Sequence, residues 1–208
     1  MERGINPVFP LPIFVDQAEG SEYELIQKEL TTVKSKLKFN DTGDNHMILN
    51  DDPFRSHFLS QYKCSHTLNL INNTIKSYID SLYGGYPLYG WVIIESWMTK
   101  TIKGRSAREH SHGGVDISGV YYLDTNGSDG NLILSNIHSH LQGNILLYEL
   151  INKGDIKMPL ENGMIFLWPG QLRHYTVVNK TDHERISVSF NISLTRKGFG
   201  QVPAAIYN

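Results

Sequence analysis

Residues 185–194 read Arg-Ile-Ser-Val-Ser-Phe-Asn-Ile-Ser-Leu, a run of strict polar–apolar alternation. Side chains two apart on a strand share a face. Arg185, Ser187, Ser189, Asn191 and Ser193 therefore form one wholly polar face, and Ile186, Val188, Phe190, Ile192 and Leu194 one wholly apolar face. A helix would scatter both sets around its circumference, so this segment is a strand with two opposite environments. One arrangement exposes the polar face to water. The other places the strand in a barrel, with its polar face lining a ligand cavity and its apolar face under helices. The histidines upstream favour the barrel.

Other β-rich segments occur at 89–98, 117–124, 131–135, 144–150, 163–168 and 174–179, and the alternating strand extends over 185–195. Asn126-Gly127, Asp129-Gly130, Gly143-Asn144, Asn162-Gly163, Pro169-Gly170 and Asn179-Lys180 supply the turn chemistry between them. Closely spaced strands with such turns predict a β-sandwich or barrel. An extended opening segment at 8–15 is broken by Pro10 and Pro12. Ser21 and Glu24 read as a capping box before a helix over 22–37, in which Ile26, Leu30, Val33 and Leu37 recur at helical spacing. Residues 40–63 read as polar and irregular. A second helix is predicted over 67–83, with Leu68, Ile71, Ile75, Ile79 and Leu82 on one face and Gly84-Gly85 as its stop. Both helices should pack on one outer face of the strands. The expected organisation is a single domain: 1–88 as N-terminal strand and supporting helices, 89–195 as β core, 196–208 as C-terminal tail.

Composition narrows the functional classes. Hydrophobic residues make up 40% of the 208 positions, enough for a substantial core. A net charge of -2 gives no global basic field for nucleic acid. Lys100, Lys103, Arg105 and Arg108 cluster modestly and read as a solvated loop. Cys64 is the single cysteine, which excludes an intrachain disulfide and a Cys-based zinc site. The first residues lack the apolar run of a signal peptide, and no apolar run reaches membrane-spanning length. A cytoplasmic protein is expected.

The chemistry concentrates in histidine. His110 and His112 are two apart, so on extended chain their imidazoles can meet at one point. His174 follows the strand Phe166-Leu167-Trp168-Pro169-Gly170. Iron(II) in oxygenases is commonly held by two histidines and one carboxylate, with positions left open. Here His112 stands at the carboxylate position. Neutral imidazoles would leave the metal its full charge and favour an anionic cosubstrate. Asp116 is the alternative third ligand; on a continuous strand it would lie roughly 13 Å beyond His112, unless Gly113-Gly114 folds the chain back. Arg185 and Ser187 share a face and suit a carboxylate. A second pair, His138 and His140, reads as loop. His46, His57, His66 and His183 read as surface or core residues.

Taken in order, His-x-His, Ser118-Gly119-Val120-Tyr121-Tyr122-Leu123, the Pro-Gly turn before His174 and Arg185-Ile186-Ser187-Val188-Ser189-Phe190-Asn191 resemble the iron(II)/2-oxoglutarate-dependent oxygenases. They look most like bacterial and phage oxygenases related to the prolyl hydroxylases. The resemblance covers residues 89–195 and implies a double-stranded β-helix, or jelly-roll barrel, buttressed by helices. It implies His110, His112 and His174 as catalytic metal ligands for Fe(II), with His112 where prolyl hydroxylases have Asp. Arg185 would pair with the distal carboxylate of 2-oxoglutarate, with Ser187 and Tyr122 beside it. Trp91 and Trp97 read as core or pocket wall. The implied reaction consumes 2-oxoglutarate and O2, releases succinate and carbon dioxide, and hydroxylates a protein side chain or small molecule. Residues 40–63, 100–109 and 136–143 are the loops expected to choose that substrate. A cupin-like metal barrel of another class and a non-catalytic binding module are the alternatives.

Overall fold

The computed structural model describes residues 11–41, 46–50, 57–83, 89–136 and 154–196. In chain order the elements are β1 (Phe14–Gln17), α1 (Gly20–Lys34), β2 (Phe39–Asn40), β3 (Ile48–Asn50), α2 (Phe58–Gln61), α3 (Ser65–Tyr83), β4 (Tyr89–Thr101), β5 (Ile117–Asp124), β6 (Leu132–Leu134), β7 (Ile156–Lys157), β8 (Met164–Pro169), β9 (His174–Thr176) and β10 (Arg185–Arg196). Seven strands form one sheet in the order β1-β8-β5-β10-β4-β3-β2, and three form a second in the order β7-β6-β9. Every named pair is antiparallel. The alternating strand β10 sits between β5 and β4, so both its edges are hydrogen-bonded.

Parity sorts each strand into two layers. Tyr121, Leu123, Ile165, Leu167, Ile186, Val188, Phe190 and Ile192 face the helices and pack with Ile26, Leu30, Ile71 and Ile75. Val120, Tyr122, Phe166 and Trp168 face the smaller sheet and pack with Leu132, Leu134, Met158 and Leu172. Gly119 lies on the helix side, where a Cβ would come within 2.4 Å of the Phe190 ring and 2.7 Å of Leu167, so only glycine lets those side chains cross the strand.

The helices are tied down by polar contacts as well as packing. Glu29 of α1 reaches the N-terminus of α3, where its carboxylate accepts from the backbone N–H groups of His66 (3.0 Å) and Thr67 (2.9 Å) and from the Thr67 hydroxyl (2.7 Å). That satisfies donors a helix start leaves unpaired and places negative charge at the positive end of the helix dipole. Gln27 donates to Leu123 O at 2.7 Å, joining α1 to β5.

Several boundaries differ from the sequence reading. Helix α1 starts at Gly20 with Glu19 as N-cap and no side-chain cap, so Ser21 and Glu24 do not form the expected capping box. The helix ends at Lys34, and Leu37 follows on short turn bonds. Residues 40–63 are not uniformly irregular: β3 and α2 lie within them, β2 ends there at Asn40, and β3 extends the large sheet through its pairing with β4. These elements were hidden because two- to four-residue pieces carry too little periodicity to read. β9 stops at Thr176, short of the expected 179. The basic cluster is a solvated loop only in part: Lys103 and Arg108 are exposed, whereas Lys100, on β4, and Arg105 are largely covered. Arg105 is mostly buried and pairs with Asp41 at 2.8 Å, Lys103 pairs with Asp182 at 2.9 Å, and Lys100 lies over the Phe39 ring. The expected strand at 144–150, the His138/His140 pair and the C-terminal tail lie outside the described residues. Among the described residues no helix is long and apolar enough to cross a membrane.

Candidate functional site

Backbone pairing, rather than one continuous strand, brings the histidines together. His110 and His174 face each other in an isolated antiparallel bridge, exchanging N–H···O bonds of 3.0 and 2.8 Å. His112 N–H donates to Gly170 O at 2.9 Å, which draws the next turn of chain against the Pro169–Leu172 turn. One ligand nitrogen from each of His110, His112 and His174 lies within 4.8 Å of the others. The ring centroids are 4.3 Å (His110–His174), 5.0 Å (His110–His112) and 5.2 Å (His112–His174) apart.

Among the described residues no carboxylate joins this group. Gly113-Gly114 does form a turn, with Gly114 at φ +88. That turn nevertheless delivers Asp116 to β10, where the carboxylate accepts from Leu194 N–H at 2.7 Å. Asp116 is thus held apart from the histidine group.

Burial keeps the rings in the form a metal needs. Desolvation holds His174 down to about 3 and His112 down to about 4, and the charge of neighbouring His110 lowers both further. Near neutral pH both are unprotonated and offer lone pairs. His110 Nδ1 lies 2.7 Å from Arg108 O, and His174 Nδ1 lies 2.9 Å from Leu172 O. Carbonyls only accept, so each Nδ1 carries its proton and each Nε2 is left free.

The inner face of β10 leads from the histidines to Arg185. Its cross-strand neighbours repeat the parity of the strand: Arg185 stands beside Thr101, Ser187 beside Thr99 and Tyr122, and Asn191 beside Glu95 and Ser118. Arg185 is 2% exposed. Its Nη1 donates to Gly130 O and its Nη2 to the Thr101 hydroxyl at 3.0 Å. A Cβ at residue 130 would meet Val177 O at 2.3 Å, and Gly130 has φ +104, so glycine is required where this carbonyl approaches. Arg185 Nε is buried without a partner. An unmatched buried donor on a guanidinium costs about 1–3 kcal/mol, and an incoming carboxylate would remove that cost. Ser187 Oγ shares a hydrogen bond of 2.6 Å with Thr99 Oγ1. Tyr122 lies with its ring 5.9 Å from the Arg185 carbon, and burial pushes its phenol up to about 12, so it remains an O–H donor.

Both ends line one cavity of about 490 Å3, counting its open mouth. Trp97, Trp168 and Met47 form part of its wall. Trp97 is thus a pocket residue, whereas Trp91 belongs to the helix side and donates to Asn72 at 2.8 Å. Thr99, Thr101, Glu95 and Asn191 were not singled out from sequence as site residues. Their common signal was available: Glu95, Trp97, Thr99 and Thr101 are two apart on β4 and face the polar side of β10. His46 contacts Ser106 O at 3.1 Å, and His183 lies 3.1 Å from Asp124 and 3.6 Å from the buried Asp129, a structural role away from the histidine cluster.

Two packed antiparallel sheets buttressed by helices on one face form a jelly-roll fold, with converging imidazoles as a candidate metal site between the sheets. Residues 95–191 match the 2OG-Fe(II) oxygenase family model. The match covers a little under half of the chain and likens this core to oxidoreductases that use iron, 2-oxoglutarate and O2. Similar solved structures share the fold at low identity. The 2-oxoglutarate-dependent epimerase SnoN from nogalamycin biosynthesis has a TM-score of 0.61 and 13% identity, covering 95% of this chain and 87% of its own. HygX from Streptomyces hygroscopicus, with nickel, 2-oxoglutarate and hygromycin B bound, has a TM-score of 0.61 and 12% identity over 91% and 84%. A 2OG-Fe(II) oxygenase family protein from Burkholderia pseudomallei has a TM-score of 0.56 and 11% identity over 86% and 92%. No curated protein matches the chain by sequence.

Proposed function

We propose that His110, His112 and His174 form the iron(II) site, that Arg185, Ser187 and Tyr122 receive the distal carboxylate of 2-oxoglutarate, and that the enzyme hydroxylates a small molecule or protein side chain. The observation that carries this reading is the pairing of three converging imidazoles with a buried guanidinium whose Nε lacks an acceptor, both on one cavity. The donor set fits the group: unprotonated imidazoles suit iron, and a fixed guanidinium suits a carboxylate.

When bound, iron and 2-oxoglutarate would supply the oxidising power by oxidative decarboxylation to succinate and carbon dioxide. The protein's own residues have narrower tasks. Arg185 presents an edge already oriented by Gly130 O and Thr101, so little entropy is lost when a carboxylate docks. Tyr122 adds an O–H donor from the neighbouring strand. Trp97 and Trp168 wall the histidine end and limit water there. We read the chain as one domain and assign it to the cytoplasm, where its single buried thiol, Cys64, would remain reduced.

The test is an anaerobic titration of Fe(II) and 2-oxoglutarate into apo protein, watching for the visible charge-transfer band of a chelating 2-oxoacid. The band should appear in wild type and vanish in Arg185→Ala while iron still binds. Iron binding without the band would instead favour a cupin-like metal barrel of another class, which needs no carboxylate clamp on this strand.

A further inference from the structure

The three histidines are not equivalent. His110 and His174 direct Nδ1 at backbone carbonyls, which can only accept. His112 Nδ1 instead faces Asn191 Nδ2 at 3.2 Å. The polarity of Asn191 is set by its other partners. Its Nδ2 lies 2.7 Å from Glu95 Oε2, and its Oδ1 accepts from Ser118 Oγ at 3.0 Å. An ionised carboxylate has no hydrogen to give, so the Asn191 atom facing Glu95 must be the NH2 group. Turning the amide over would set Asn191 Oδ1 against Glu95 Oε2 and remove the acceptor that Ser118 Oγ now reaches. The second hydrogen of the same NH2 group points to His112 Nδ1, which must therefore offer its lone pair. A neutral imidazole has one donor and one acceptor nitrogen. His112 then carries its proton on Nε2, the nitrogen its neighbours leave free for coordination.

We infer that His110 and His174 are the ligands and that His112 serves the same centre as an Nε2–H donor to an anionic ligand on the metal. This rests on the metal-site reading above and revises one part of it: His112 belongs to the site as a donor and not as a ligand. It also accounts for the arrangement across three strands: Glu95 on β4, Asn191 on β10 and Ser118 on β5 stand side by side in register and converge on one ring. Metal-binding histidines characteristically donate their second N–H to a carbonyl or carboxylate; His110 and His174 do so, and His112 accepts instead. A centre built this way has two neutral protein ligands, keeps its full positive charge, and offers one N–H where a protein carboxylate would otherwise bind. Glu95 and Asn191 are positioning residues that act through His112.

Long-range proton–nitrogen NMR of the imidazoles tests this without turnover. In metal-free protein, His110 and His174 should show the Nδ1–H tautomer and His112 the Nε2–H tautomer. Zinc, as a diamagnetic probe, should shift Nε2 of His110 and His174 while His112 keeps its Nε2 proton. Glu95→Gln with Asn191→Asp reverses the relay, since Gln donates to Asp and Asp accepts from His112 Nδ1–H. His112 Nε2 is then free to ligate, and zinc should bind about 10- to 100-fold tighter. Loss of the His112 Nε2 proton on zinc binding to wild type, or an Nδ1–H tautomer before it, overturns this inference and leaves the metal site standing. Zinc that moves none of the three rings overturns both.

Discussion

The two faces of β10 are both buried, yet they are buried for opposite reasons. On the helix side Ile186, Val188, Phe190 and Ile192 are completely enclosed in an apolar layer. On the cavity side Arg185, Ser187 and Asn191 are almost as inaccessible, but each is enclosed by polar partners. Removing apolar area from water stabilises the first face. The second stays buried only because its hydrogen bonds are met, and the exception, Arg185 Nε, falls where a ligand is expected. Stability and ligand recognition therefore lie on opposite sides of one strand, and substitutions on each face should separate them.

Phe190→Ala should have the largest effect on folding, about 3–5 kcal/mol, because the ring spans the space left by Gly119. Chemical denaturation would measure it. If iron or zinc affinity falls before stability does, the two faces are not separable. On the cavity side, Arg185→Ala should weaken 2-oxoglutarate binding at least about 100-fold, since hydrogen bonds to charged groups contribute about 1.5–3 kcal/mol each; calorimetry should show metal affinity nearly unchanged. Equal 2-oxoglutarate binding by mutant and wild type would remove Arg185 from the site.

Acidification sharpens the same contrast. His174 and His112 are held down at about 3 and about 4 when folded, whereas exposed imidazoles in the unfolded chain titrate near the ordinary 6.5. Between those values the unfolded state binds more protons, so the stability of the metal-free protein should fall as pH drops below about 6.5 and level off only below about 3. A denaturation midpoint that stays flat from pH 7 to pH 5 would contradict the buried, neutral imidazoles. The smallest expected effect is that of Asp116→Ala. It removes one hydrogen bond to Leu194, costs about 1 kcal/mol in folding, and leaves metal affinity unchanged. A collapse of metal binding in that variant would restore Asp116 as a ligand.

Much of this molecule was legible before any coordinates. The alternation in 185–194, the turn pairs Asn126-Gly127, Asp129-Gly130 and Asn162-Gly163, and the apolar repeats of α1 and α3 are local signals, and strand and helix geometry translate them directly. Short pieces such as β2, β3 and α2 were not legible, because their stability comes from pairing with β4 and packing on the core rather than from their own few residues. The His-x-His spacing announced a convergence of imidazoles, but the convergence is produced by the bridge to His174 and the bond from His112 to Gly170.

The sequence by itself determined which residues can share a face, because alternation is a property of the extended backbone. It also determined the kinds of donor available: imidazole, guanidinium and hydroxyl. Only the tertiary structure decided that the polar face of β10 looks into a cavity instead of water, since that depends on a second sheet closing over it. Only the tertiary structure, too, carried Asp116 to Leu194 and set Asn191 against His112. Both outcomes turn on partners far away in the chain, Leu194 for one and the Glu95–Asn191–Ser118 relay for the other. A hydrogen bond's direction belongs to the pair that makes it, and sequence spacing does not state the pair.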